Sequence, residues 1–240
     1  MDYKKLSPLL ATVLLLITPA IFPGVVLLSE VPEGIKQLIK KAQGVVQQNV
    51  DEYNAKTKGP RFLFEKGMYD PHITLAYVSY DEGGMADFQQ KNAKLIDDLK
   101  SIAQNTNPIT VSSTIQDAKL EIWPGKWERE YSSNKFKKYA ILVAQLKPSP
   151  ELLSFVEKLD STLAQSPNTT KREFPFCAHV TIGWVYDQND TDTTTMIDIL
   201  KPKLEKAIAE ERVEGNDFMI DAFKLSTHDK KQLIFPKLTW

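Results

Sequence analysis

Polar and apolar side chains alternate with a period of two in two separate runs, Pro71-His72-Ile73-Thr74-Leu75 and Ala178-His179-Val180-Thr181-Ile182. That is the period of a β-strand, whose successive side chains leave opposite faces. It sets His72 with Thr74 on one face and Ile73 with Leu75 on the other, and does the same for His179 and Thr181. A helix would rotate each pair apart. The β-branched and aromatic residues from Ile73 to Val78 and from Val180 to Tyr186 favour strands at both places. One histidine on an apolar strand reads as a packed core residue. Here two of the three histidines share one grammar, and they read as two halves of one site. The third, His228, stands in the polar run Thr227-His228-Asp229-Lys230 and reads as a solvated turn residue.

The order of elements around these runs repeats. Gly24 to Leu28 reads as a first strand, and apolar residues from Ile35 to Tyr53 recur at three and four, the mark of one buried helix face. Arg61 to Glu65 suits a short edge strand before the first motif strand, Pro71 to Tyr80. After Gly83-Gly84 a second helix carries Met85, Phe88, Leu95, Ile96, Leu99 and Ile102, followed by one long or two short strands over 109–123. The second half begins with a strand over 139–146 and a helix capped by Ser149-Pro150. The motif strand, Phe174 to Tyr186, follows. A helix over 194–212 is then expected to kink or divide at Pro202, and a hairpin pairs 218–226 with 232–238. The unit is β-α-β-α-β, twice, with the two histidines at equivalent places about a hundred residues apart. The expected fold is α+β: two pseudo-symmetric lobes, about 24–123 and 139–240, with antiparallel-rich sheets around a central groove and helices outside.

A chain of 240 residues, 42% hydrophobic, can bury a full core. Its net charge of −1 gives no general attraction to nucleic acid or membrane surfaces and favours small or short substrates over long RNA. A single cysteine, Cys177, excludes an intrachain disulfide and a cysteine-based zinc cluster. It shares a face with His179 and reads as a small filler bordering the site. Lys4 and Lys5, the apolar run Leu9 to Ile17 and Thr18-Pro19-Ala20 have the order of a secretory signal, so residues 1–23 predict export, to a periplasm or the exterior. The alternative is an uncleaved membrane anchor over residues 6–28.

A surface that presents two histidines and two threonines suits chemistry at a phosphodiester. One neutral imidazole takes a proton from the attacking oxygen while a protonated one gives a proton to the leaving oxygen. The threonine hydroxyls donate to the non-bridging oxygens, and no metal or other cofactor is required by this arrangement. Tyr77, Tyr80, Trp184 and Tyr186 follow the motifs as candidates to stack on a base. The stretch 124–138 mixes Lys126, Arg129, Lys135, Lys137 and Lys138 with Trp127, Tyr131 and Phe136. It reads either as an ordinary charged hairpin or as a basic flap over a nucleotide. Two rivals stay open: a binding module that holds a nucleotide without turnover, and a metal hydrolase using His72, His179 and a carboxylate such as Asp70.

His-Ile-Thr-Leu and His-Val-Thr-Ile, so spaced in a two-lobed α/β chain, resemble the paired motifs of the 2H phosphoesterases, which include 2′-5′ RNA ligase-like proteins and cyclic nucleotide phosphodiesterases. The resemblance spans about residues 24–240. It implies a metal-independent enzyme acting on 2′,3′-cyclic phosphates or 2′-5′ linkages of nucleotides or short RNA. His72 and His179 would then be catalytic, and Thr74 and Thr181 would bind phosphate. No stable protein partner is expected, and a membrane only if the N-terminus stays attached.

Overall fold

A computed structural model describes residues 25–57, 61–66, 70–79, 84–111, 119–125, 129–131, 134–167, 169, 172, 175–189, 193–210, 218–227 and 231–238. Residues 1–23, on which the expectation of export falls, Tyr80 and His228 lie outside the described residues. The elements run β1 (Val25–Glu30), α1 (Glu33–Lys56), β2 (Phe62–Lys66), β3 (His72–Ser79), α2 (Gly84–Lys91), α3 (Ala93–Gln104), β4 (Ile109–Val111), β5 (Lys119–Pro124), β6 (Arg129–Tyr131) and β7 (Asn134–Phe136). They continue with β8 (Tyr139–Gln145), α4 (Pro150–Leu163), β9 (His179–Asp187), α5 (Thr194–Glu210), β10 (Phe218–Ile220), β11 (Lys224–Thr227) and β12 (Gln232–Ile234). Helices and antiparallel sheets make the fold α+β.

Among the described residues the strands carrying the motifs belong to one sheet, in the order β12-β11-β1-β3-β9-β8-β5, with β2 also paired to β9. The two motif strands, β3 and β9, are neighbours at its centre and run antiparallel. Each half exchanges its third strand: β5, from the first half of the chain, pairs with β8, while β11, from the second, pairs with β1. The exchange has a local cause, since β5 and β8 are the two arms of one hairpin, closed where Gly125 N–H donates to the Tyr139 carbonyl at 2.8 Å. The helices cross over as well. Helix α1 packs on β9, β2 and α5, and α4 packs on β3, β4 and α3.

One face of this sheet is buried by the helices. Ile73, Leu75, Val180 and Ile182 have no exposed surface and share a core with Ile39 and Val46 of α1, Leu152 and Leu159 of α4 and Leu200 of α5. Burying one such side chain stabilises the fold by about 1.5–3 kcal/mol, so the apolar half of each alternation determines which face the histidines take. Helix α4 begins as its sequence predicts, with Ser149 Oγ accepting from Leu152 N–H at 3.1 Å and Pro150 in the first turn.

Two expectations are corrected, and the one at Pro202 is narrowed to a helix that is not divided. The helix expected through Met85 to Ile102 is divided at Asn92, whose φ of −126° leaves the helical range while its backbone N–H and Nδ2 both donate to the Phe88 carbonyl at 3.0 Å. Helix α5 runs through Pro202 undivided; Pro202 and Asp198, whose carbonyl loses its donor, are both exposed to water. The C-terminal hairpin is shorter than expected. Only β11 and β12 form it, while Phe218–Ile220 pairs instead with β4.

Candidate active site

Ile73 of β3 lies opposite Val180 of β9. Both point into the core, so extending that register by one residue sets His72 opposite Thr181 and Thr74 opposite His179 on the other face. The four side chains form a quartet, with each histidine diagonal to the other and Cβ atoms on the order of 7–8 Å apart. That leaves room for a tetrahedral phosphate between two rings.

The rings are held alike. Nδ1 of His72 lies 2.8 Å from the carbonyl of Asp70, and Nδ1 of His179 lies 2.8 Å from the carbonyl of Cys177. A carbonyl only accepts, so each Nδ1 carries the proton, and the lone pair of the neutral ring is on Nε2. Burial pushes both pKa values below the ordinary histidine value. The carbonyl bonds oppose that shift, and Lys224 adds to it at His72. A charge on His72 lowers His179 further. Among the described residues, neither Thr74 nor Thr181 spends its hydroxyl on a hydrogen bond.

Both motif strands bulge just past the threonine. The ladder of β3 with β1 skips Leu75, and that of β9 with β8 skips Ile182. A bulge leaves a backbone carbonyl unpaired in the ladder. Arg172 Nη2 donates to the Leu75 carbonyl at 2.5 Å, and Gln43 Nε2 of α1 donates to that of Ile182 at 3.0 Å. Arg172 is itself held by Asp160 of α4, its Nε 2.7 Å from Oδ2. Past each bulge the alternation resumes one residue late, which brings Tyr77 and Trp184 onto the face of the quartet. Gly183, inside the second bulge, lies so close to β2 that a Cβ would stand 2.5 Å from the Glu65 carbonyl oxygen.

The stacking candidates separate. Tyr77 is 50% exposed beside Thr74, and Trp184 is half-buried past Thr181. Tyr186 has no exposed surface: it stacks on Tyr131 at 5.2 Å, packs against Phe136 and Tyr139, and donates to Glu65. The hairpin of β6 and β7 therefore uses Tyr131 and Phe136 to anchor itself to the sheet, and leaves Lys135, Lys137 and Lys138 on the surface. Trp127 lies outside the described residues. Asp70 reaches His72 through its carbonyl, and its side chain is exposed. Cys177 borders the site through its carbonyl, while its Sγ accepts from Gln145 Nε2 at 3.2 Å.

Sequence reasoning missed Trp123. Its ring meets His179 edge-on, centroids 4.7 Å apart and planes at 71°, which confines the imidazole to one orientation. No local pattern announces this, because Trp123 reaches the site only through the pairing of β5 with β8 and of β8 with β9.

No family model and no curated protein sequence matches the chain. Among solved structures, the fold is similar to Kluyveromyces marxianus Usb1 with uridine monophosphate, at 13% identity and a TM-score of 0.47 over 89% of this chain and 98% of that one. A structure described as a phosphoesterase is similar at 14% identity and a TM-score of 0.41, over 91% and 99%. E. coli LigT complexed with 3′-AMP is similar at 15% identity and a TM-score of 0.39, over 91% and 97%.

Proposed function

We propose that the chain is a phosphodiesterase of the 2H phosphoesterase type, cleaving 2′,3′-cyclic phosphates or 2′-5′ linkages of nucleotides or short RNA without a metal. One observation carries the reading. The Ile73–Val180 register brings two His-Thr pairs onto a single face, with both imidazoles presenting Nε2. In that arrangement the neutral ring takes a proton from the attacking water as its oxygen bonds to phosphorus. The protonated ring gives its proton to the sugar oxygen that leaves. Thr74 and Thr181 donate to the non-bridging oxygens, whose charge grows in the transition state. Trp184 and Tyr77 offer faces for a base at either end of the quartet. The charged, apolar and small-residue order of residues 1–23 adds export to the proposal.

The test is hydrolysis of 2′,3′-cyclic nucleotides and 2′-5′ dinucleotides by the full chain in excess EDTA. Turnover is expected, and His72→Ala or His179→Ala each reduces kcat by about 10²–10⁴. Folded protein that turns over none of these substrates, or a single-histidine variant as active as the parent, would sink the proposal.

A further inference from the structure

The two halves of the quartet match in register but not in charge. Beside Thr74 the ladder crosses β1 at Leu28 and reaches Lys224 of β11. Beside Thr181 it crosses β8 at Val143 and reaches Glu121 of β5. Next to His72 stands Glu30, and next to His179 stands Gln145. A carboxylate and a lysine thus occupy the His72 flank, where His179 has the amide of Gln145 beside it.

The lysine is held in place. Its side chain is only 14% exposed, and its Nζ lies 2.7 Å from Oε1 of Glu30. Lys36 approaches the other oxygen of the same carboxylate at 3.7 Å. Glu30 is the exposed member of the three, and the two ammonium groups hold its carboxyl below the usual carboxylate range. Two cations share one anion, so the cluster keeps a net positive charge. Glu30 stands one strand, about 4.8 Å, outboard of His72 on the side away from His179, and Lys224 reaches in to it from β11, the strand beyond. An exposed ion pair adds little to stability. A cation whose ammonium group reaches the residue beside His72 has a use in binding instead, because a nucleic-acid chain carries its next negative charge one step from the phosphate under attack.

We propose that Lys224, presented by Glu30, is a subsite for a second phosphate of the substrate, the one adjacent to the phosphate being cleaved. This rests on the phosphodiesterase reading above and sharpens it: the preferred substrate is the end of a short RNA, and a cyclic mononucleotide is a truncated substrate. Lys36 tightens the subsite by competing for Glu30, which frees Lys224 to turn toward the phosphate.

The experiment has a binding arm and a kinetic arm. Adenosine 3′,5′-bisphosphate and adenosine 3′-monophosphate are titrated calorimetrically into the full chain, into Lys224→Ala and into Lys224→Arg. The bisphosphate is expected to bind at least about tenfold tighter to the parent, as one charge-assisted contact provides. That ratio falls to within about threefold in Lys224→Ala, returns in Lys224→Arg, and shrinks with added salt. In the kinetic arm, a dinucleotide ending in a 2′,3′-cyclic phosphate shows a lower KM than 2′,3′-cyclic AMP with the parent, and loses that advantage in Lys224→Ala. Equal affinities in the parent, an unchanged ratio in Lys224→Ala, or equal weakening of both ligands overturns the subsite. The two proposals fail separately. A lysine-dependent preference for the bisphosphate without turnover of any substrate defeats the phosphodiesterase reading alone, and turnover without the preference defeats the subsite alone.

Discussion

At the scale of single residues, the two histidines are equivalent in their backbone bonds and unequal in their neighbours. His72 has Lys224 and Glu30 on its flank, and His179 has the edge of Trp123. With both pKa values pushed down by burial, the singly protonated pair lies on the acid side of about 6.5. The profile of kcat/KM against pH is therefore expected to be bell-shaped, with its alkaline limb falling below that value, where the second ring loses its proton. Lys224→Ala removes a cation that opposes protonation of His72, so NMR titration of the ring is expected to show its pKa rise. An unchanged titration would mean that the lysine lies too far away to matter. Trp123→Leu keeps an apolar neighbour but frees the imidazole. It is expected to lower kcat more than it raises KM, since on the proposed reading the ring it orients acts in the chemical step.

At the scale of elements, the bulges at Leu75 and Ile182 give each motif strand its useful shape, and Arg172 and Gln43 satisfy the carbonyls they expose. Gln43→Leu leaves the Ile182 carbonyl without its partner. A cost of about 1–3 kcal/mol is expected, measured by chemical denaturation. Gly183→Ala is expected to be worse, because its Cβ would meet the Glu65 carbonyl of β2 as well as the Phe64 ring, and the backbone cannot swing aside; circular dichroism would show a lowered Tm. The His-x-Thr spacing was legible in the sequence because strand alternation is a local property. The bulges were not, since Leu75-Ala76-Tyr77 and Ile182-Gly183-Trp184 read as ordinary strand, with only the glycine as a sign. Tyr186, two residues past Trp184, comes onto the quartet's face by the same bulge, but Tyr131 and Phe136 of the hairpin cover it there, a contact no local pattern announces.

At the scale of the whole molecule, the repeated order of elements was legible, but the pairing between halves was not. Which strand β5 or β11 joins depends on contacts far away in the chain. Lys224, read as one residue of a C-terminal hairpin, gains its meaning only because β11 lies beside β1. Because the halves exchange strands, segments 25–124 and 139–238 made separately are each expected to stay unfolded and to assemble when mixed, as followed by size-exclusion chromatography and circular dichroism. Acid weakens the intact fold with a definite sign. The folded-state pKa of each histidine lies below its unfolded value near about 6.5, so the unfolded chain binds more protons in between. Their contribution is complete above the unfolded value and is lost as pH falls toward the folded values. Denaturation midpoints are expected to drop across that window, and less so in His179→Ala.

The exchanged strands bear on how such a site works over time. Many two-lobed proteins close around a ligand by bending at a linker, and their reactive groups meet only in the closed form. Here the two imidazoles sit on adjacent strands of one hydrogen-bonded sheet, and each half grips the other through β5 and β11. Among the described residues no hinge lies between the two strands, so on the proposed reading proton donor and acceptor keep their separation whether or not a ligand is present, and turnover is expected without a closing motion.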